Sequence, residues 1–476
     1  MNPTLLTIFS EVPPKPDYSP VRTSIEASKD RPEVAETLKL FSSMPQSTAV
    51  LANPVRYHHR IAVGKTTLEL DIRSFAIRGR LFEEDIVSGK ADAVDVIFVG
   101  MFGRHPTNQE VSLFREHLTQ SMDLGIQRCF EKTREFMKNF PGASPDIAMQ
   151  HWATLRKAGR KDGQVNSSRP PAELLAEMID VHMENVAVAG LASAMRANSP
   201  MGARVPGATD PFRFLFSMLL RRTANPDENR ILGQLGAIQV HHGSAGSNMV
   251  ARYFAALHTR SVSDLFIASQ MALDCGRHFG AISDMSDFVG VLERTPETER
   301  DNVIRSRILR GNLPTFGHPE IAAAGRENHL EMDPRPALYL APLFEAIDRG
   351  TVTVSARVLK RVALLERIYQ IALVEGVQKS TGAARLRLTP NTDFGAWLVQ
   401  EVLGIEEPDR TLLSYAYRGF GWMMDVREQL QQPIIRPVIP PDPTIVPSHQ
   451  TDGIVPAIIS SVHNRLVVGK AFTNHS

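Results

Sequence analysis

Cysteine is almost missing from this 476-residue chain: only Cys129 and Cys275 occur, far apart and outside any CxxC spacing. That scarcity argues against a disulfide scaffold and a cysteine-based zinc site. An excess of either charge is also missing. Lys and Arg total 53 against 52 Asp and Glu, so no overall field draws the chain toward nucleic acid or an anionic bilayer. An anionic substrate would have to be met by arginines placed locally. No window approaches the roughly 20 consecutive apolar residues that span a bilayer. Met1 to Pro20 holds five prolines together with Glu11, Lys15 and Asp17, where a secretory signal would need an apolar stretch. The expectation is a protein of the reducing cytoplasm with no membrane or nucleic-acid partner. The basic stretch from Lys132 to Lys161 is interleaved with acids and prolines and reads as a solvated face.

What is present is ordinary globular material, 43% hydrophobic and 22% charged, and the length predicts two or three domains with a sizeable core. Prolines concentrate at both ends, in residues 1–35 and again from Pro433 to Pro447. Each removes a backbone donor and restricts its predecessor, so extended arms are expected at 1–35 and 438–476. Between Tyr57 and Arg80 the alternation of Ile61, Val63, Leu68, Leu70 and Ile72 around Gly64 predicts a short N-terminal β-hairpin. Helical periods dominate after Ala93. The runs at 112–122, 170–195, 210–222, 261–276, 335–350 and 355–376 repeat apolar residues at i, i+3, i+4 and i+7, and several are apolar nearly all round, as buried helices are. Pro211, Pro226, Pro314, Pro334 and Pro390 punctuate them. Ser263-Asp264 reads as a helix start. No fixed-period repeat points to a solenoid. Gly64-Lys65-Thr66 imitates the end of a phosphate-binding loop, but that motif needs glycine where His59 stands.

Five segments of the second half carry chemistry. HHGSAGSNMVAR (241–252) sets His242 at fixed distances from Ser247 and Arg252. CGRHFGA (275–281) carries His278, and LPTFGHP (313–319) with DPRP (333–336) carries His318 and Arg335. TPNTDF (389–394) carries Asp393, although turn-and-cap chemistry also accounts for Pro-Asn-Thr-Asp. RGFGWMMDVREQ (418–429) with IIRP (434–437) carries Arg418 and Arg436. In this order and at these separations the segments resemble the citrate synthase family, whose corresponding pieces include Gly-Phe-Gly-His-Pro, Asp-Pro-Arg-Ala, Pro-Asn-Val-Asp-Phe and Ile-Ile-Arg-Pro. A fainter echo lies at VIFVGMFGRHPT (96–107) with Glu110. The chain departs from the pattern at Gly243, Ala245, Phe279, Ile282 and Asp425, the last standing where the family has histidine.

The resemblance implies an all-α fold with a large helical domain and a smaller mobile one. It places the large domain at 36–283, the small domain with the CoA site at 284–389, and a return to the large domain at 390–437. It implies an acyltransferase that condenses acetyl-CoA with oxaloacetate to citrate and CoA. Asp393 would be the base at the thioester methyl, His278 a donor to the thioester oxygen and His318 a donor to the ketone. His242, Arg335, Arg418 and Arg436 would bind the oxo acid. No metal or permanently bound cofactor is expected, CoA being substrate and product. The implied assembly is a homodimer with Arg436 reaching the partner's site. Propionyl-CoA condensation to 2-methylcitrate, citryl-CoA cleavage and a non-catalytic binding or regulatory protein stay open as alternatives.

Overall fold

The computed structural model describes residues 2–11, 91–102, 104–159, 163–199, 211–240, 246–274, 280–317, 334–375 and 390–431, strand segments within 68–81 and 377–388, and Val462. The described elements in chain order are α1 (Pro3–Ser10), β1 (Leu68–Asp71), β2 (Ser74–Ile77), β3 (Arg80–Leu81), α2 (Ala93–Phe102), α3 (Asn108–Asn139), α4 (Pro145–Gly159), α5 (Pro171–Arg196), α6 (Phe212–Leu220), α7 (Pro226–Gln239), α8 (Gly246–Ala256) and α9 (Val262–Leu273). They continue as α10 (Gly280–Arg294), α11 (Glu297–Leu309), α12 (Pro334–Asp348), α13 (Ala356–Glu375), β4 (Val377–Gln378), β5 (Leu386–Arg387), α14 (Thr392–Val402) and α15 (Arg410–Gln431). The fold is all-α in its body, as the periodicity predicts. β1, β2 and β3 form an antiparallel three-stranded sheet, with Leu68 opposite Ile77 and Asp71 opposite Ser74. Gly64, where the hairpin turn is expected, lies outside the described residues.

Helix α5 is the axis of the large body. Its residues from Val181 to Ala194 are buried without interruption, and α1, α3, α4, α6, α9 and α15 pack around it. A helix surrounded on every side shows little amphipathic contrast, which is why its sequence reads as apolar all round. Helix α15 lies beside it and also touches α2, α7 and α8. Farther along the chain, α14 is packed by α10, α12 and α13.

Two readings of the sequence change. The first part of the predicted N-terminal arm is helix, not extended arm: Asn2 caps α1, Pro3 takes its first position, and Leu5, Ile8 and Phe9 enter the core. Asparagine followed by proline is a helix-start signal, here outweighed by the prolines farther on. Glu11 then anchors the segment through Arg104 at 2.6 Å, while its carbonyl accepts from Arg427 at 2.5 Å. The second change is at α9, whose cap is Ser261, not Ser263; the Ser261 hydroxyl accepts from the Asp264 amide at 3.2 Å. The echo around Thr107 does connect two helices, α2 and α3, and a capping box opens the second. Thr107 Oγ1 accepts from the Glu110 amide at 3.3 Å and Glu110 Oε2 accepts from the Thr107 amide at 2.7 Å.

Buried charge is handled by clusters. Glu184, on α5, meets Arg128 at 2.7 Å and also Arg156; Arg156 is the one buried charged residue among those described in the 132–161 stretch. In a second cluster, Glu401 on α14 accepts two bonds of 2.8 Å from Arg361 on α13 and a further bond from Arg410 on α15. Arg410 Nη1 donates to Ser286 Oγ at 2.7 Å, and the Trp397 indole N–H donates to the same oxygen at 2.9 Å. Both guanidinium carbons lie about 5.5 Å from the Trp397 ring centroid, within cation–π range.

Close helix contacts rest on two glycines. A Cβ at Gly236 would overlap the Tyr417 ring, and one at Gly419 would overlap the His182 imidazole. His182 cannot easily move aside. It is fully buried, its Nε2 bonds the Ala416 carbonyl at 2.8 Å, and Phe266 stacks on it at 5.3 Å. Burial holds this imidazole well below its ordinary value, at about 4. Gly419→Ala should therefore lose ~1–3 kcal/mol to overpacking, outweighing the gain in helix propensity. Denaturant melting reads this directly, and a midpoint equal to or above the parent's would refute it.

Candidate active site

The loop Leu313–Gly317 enters the site under backbone strain. Thr315 sits at φ 61° and Gly317 at φ 82°. Glycine adopts such angles freely, whereas a β-branched threonine does so only when its surroundings force it, a situation concentrated at functional sites. The surroundings here are visible. Phe316 forms an antiparallel bridge with Pro390. The Asn391 amide donates to the Thr315 carbonyl at 3.0 Å, and Asn391 Nδ2 donates to the Gly317 carbonyl at 3.4 Å. The Phe316 ring packs edge-on against Phe394 at 5.4 Å. A loop ending one residue before His318 is thereby fastened to the start of α14.

Asn391 also caps that helix, its Oδ1 accepting from the Asp393 amide at 3.0 Å. The cap reading and the chemical reading of Pro-Asn-Thr-Asp are thus compatible: asparagine supplies the cap, and Asp393 stands in the first turn, 9% exposed.

A second focus is built by α7, α8 and α15. Arg418 is buried; its Nε donates to the Gln239 carbonyl at 2.8 Å and its Nη1 to Asn248 Oδ1 at 3.3 Å. Ser414 Oγ donates to Gln239 Oε1 at 2.8 Å. Arg418 therefore grips the chain on both sides of residues 241–245. Behind it, Asn248 Nδ2 donates to Asp425, and Arg252 Nη2 donates to both Asp425 and Glu428. Burial works against the Arg252 cation, but Asp425 and Glu428 outweigh it and raise the guanidinium above its ordinary value.

Asp274 closes α9 immediately before the segment of His278. Burial, reinforced by Asp146 and opposed by the Thr411 hydroxyl, pushes its carboxyl up to about 6.

Of the residues read from the sequence, Asp393 and Arg418 are described with their side chains. Arg335 is described by its backbone, in the first turn of α12. His242, His278, His318 and Arg436 lie outside the described residues, as does most of the predicted arm at 438–476. Sequence reasoning did not assign Asn248, Asp425 or Glu428 to the site. All three lie inside the segments 241–252 and 418–429, and spacing offered a signal for one of them: Asp425 falls two helical turns after Arg418, which puts both on one side of α15. Among the described residues, no group of three or more His, Cys, Asp and Glu side chains could hold a metal ion. No described helix is long and apolar enough to cross a membrane.

Comparison with known proteins gives a consistent result. Residues 66–438 match the family model described as citrate synthase, C-terminal domain. A search of curated proteins by sequence gives no significant match. Among solved structures, the chain is similar to the citrate synthase of Thermotoga maritima MSB8, with 14% identity, a TM-score of 0.58, and coverage of 77% of this chain and 89% of that one. It is similar to the citrate synthase of Thermoplasma acidophilum, solved as a ternary complex with carboxymethyl coenzyme A and oxaloacetate. There the identity is 17%, the TM-score 0.59, and the coverage 81% of this chain and 94% of the other. The citrate synthase of Pyrobaculum aerophilum aligns at 16% identity and a TM-score of 0.59, over 80% of this chain and 90% of that one.

Proposed function

The chain belongs to the citrate synthase family, and from that premise we propose that it condenses acetyl-CoA with oxaloacetate, releasing citrate and CoA. The observation that supports this reading most is the bonded junction between Thr315–Gly317 and Asn391. It holds the backbone at Gly317, the residue before His318, against Asn391 at the start of the helix that carries Asp393, across 74 positions of the sequence.

The chemistry needs that proximity. A thioester methyl is too weak an acid to ionise freely, so a carboxylate must remove its proton while a donor stabilises the developing enolate oxygen. In this proposal Asp393 takes the proton and His278 donates to the thioester oxygen. His318 donates to the ketone oxygen of oxaloacetate and makes its carbon more electrophilic. The new bond joins the methyl carbon to that carbon, the ketone oxygen becomes the hydroxyl, and water then cleaves the citryl thioester to release the CoA thiol. Arg335, Arg418, Arg436 and His242 hold the oxo acid, since the planar guanidinium presents paired donors to a carboxylate. Residues 284–389 form the mobile domain of this scheme, closing over the oxo acid to complete the CoA site and exclude water. The protein acts as a homodimer, with Arg436 contributed in trans. The Thermoplasma enzyme was solved with carboxymethyl coenzyme A, a CoA compound, and with oxaloacetate, the oxo acid of this scheme.

Release of free CoA thiol from a panel of acyl-CoAs and 2-oxo acids tests the proposal. Acetyl-CoA with oxaloacetate is expected to give the highest kcat/KM. A preference for propionyl-CoA would move the assignment to 2-methylcitrate, and oxaloacetate binding without thiol release from any pair would replace it with a non-catalytic role.

A further inference from the structure

Asn248 is completely buried between two groups of opposite hydrogen-bonding character. On one side stands the Arg418 guanidinium, which can only donate; on the other stands the Asp425 carboxylate, which accepts from Asn248 and from Arg252. The amide can satisfy both in one orientation, with its oxygen toward Arg418 and its nitrogen toward Asp425. Turning it over would set donor against donor and oxygen against oxygen in a fully buried place, where unmade hydrogen bonds are costly. Asp425 is itself held, since Arg252 bridges it to Glu428 one helical turn farther along α15.

From this geometry we infer that Asp425 is a positioning residue for the oxo-acid site: it fixes the polarity of the Asn248 amide, and Asn248 fixes the guanidinium of Arg418. The inference rests on the proposal that Arg418 receives a substrate carboxylate. Two opposite effects on substrate binding are conceivable for this carboxylate. Acting through Asn248, it strengthens binding by holding Arg418 in place. Acting directly as a buried negative charge, it would repel the anionic substrate, and its removal would tighten binding.

A double-variant cycle on the full chain separates them, with oxaloacetate binding measured by titration calorimetry beside KM and kcat. Asp425→Asn is expected to weaken oxaloacetate binding by ~10- to 100-fold, the range for a lost hydrogen bond to a charged group, with a much smaller change in kcat. Asn248→Ala should weaken it to a similar degree. The double variant should bind no more weakly than Asn248→Ala alone. Tighter binding by Asp425→Asn, or an Asp425 effect undiminished in the Asn248→Ala background, overturns the inference. If Asp425→Asn does not fold, Asn248→Ala, which removes no charge, decides alone, and unchanged oxaloacetate affinity would overturn it. A parent that condenses normally while neither variant loses affinity ends this inference and leaves the proposed function standing. A parent that binds oxaloacetate but releases no CoA, with both variants weakened, does the reverse. A parent with no affinity for oxaloacetate overturns both.

Discussion

Asp393→Asn is expected to lower turnover of acetyl-CoA and oxaloacetate by ~10²- to 10⁴-fold, the usual contribution of a positioned general base, without unfolding the protein. The structure explains why the two effects separate. The cap of α14 uses the backbone N–H of Asp393 and the side chain of Asn391, so an amide at position 393 leaves the cap intact. Asparagine also fills nearly the same volume, so the packing of Phe394 on Phe316 and Tyr369 has no reason to change. What is lost is the ability to accept a proton. Steady-state thiol release and a thermal melt on the same preparation check both halves. Parent-level turnover by the variant would dispose of the mechanism, and a collapsed melt would show that Asp393 is structural.

The largest effect on stability is expected at Glu401. Glu401→Gln removes the charge on which Arg361 and Arg410 converge, and breaking a buried pair costs ~3–5 kcal/mol because the partner charge stays behind without compensation. Two guanidiniums would be left here, both at least nine-tenths buried, with Glu293 at 3.6 Å from Arg361 as a more distant and half-exposed counter-charge. Burial already pulls Arg410 below its ordinary value, with Glu401 the main opposing influence. Such a loss is a large share of the ~5–15 kcal/mol that typically separates folded from unfolded protein. Chemical denaturation should show a lower midpoint, and a stability within ~1 kcal/mol of the parent would mean that the cluster offers little net gain over neutral packing. The cluster joins α10 and α13 to α14 and α15, across both limits of the proposed mobile segment. It is therefore placed at the root of that segment, where a firm attachment is compatible with movement farther out.

The helical body was legible because its signal is local. Residues 171–196, 212–220, 262–273 and 356–375 each repeat apolar side chains at helical spacing, and they fold as helices close to the expected limits. Helix α11 gave little signal because only Ile304 and Ile308 of its thirteen residues are buried. Helix α1 was hidden by the prolines that follow it, although its own cap residues announced it. At the site, motif order singled out Asp393 and Arg418 as residues, but their partnerships are non-local. Asn391 reaches Gly317 across 74 positions, and Asn248 reaches Asp425 across 177. Nothing in a single chain states such pairings. Strain at Thr315 is equally invisible in sequence, since threonine is an ordinary residue until its φ is known.

The two glycine contacts of the large body limit how this chain can change over evolutionary time. Gly419 and His182 share one volume, as do Gly236 and Tyr417, so neither glycine can acquire a side chain while its partner keeps a ring. A lineage must shrink the ring first, passing through an intermediate with a void, or else leave the glycine alone. Gly100 is under a weaker constraint, because its neighbour is the flexible end of Met424. Divergence in this body should therefore proceed unevenly: freely where a methionine can swing aside, and only through paired replacements where an imidazole or phenol is wedged against a helix backbone.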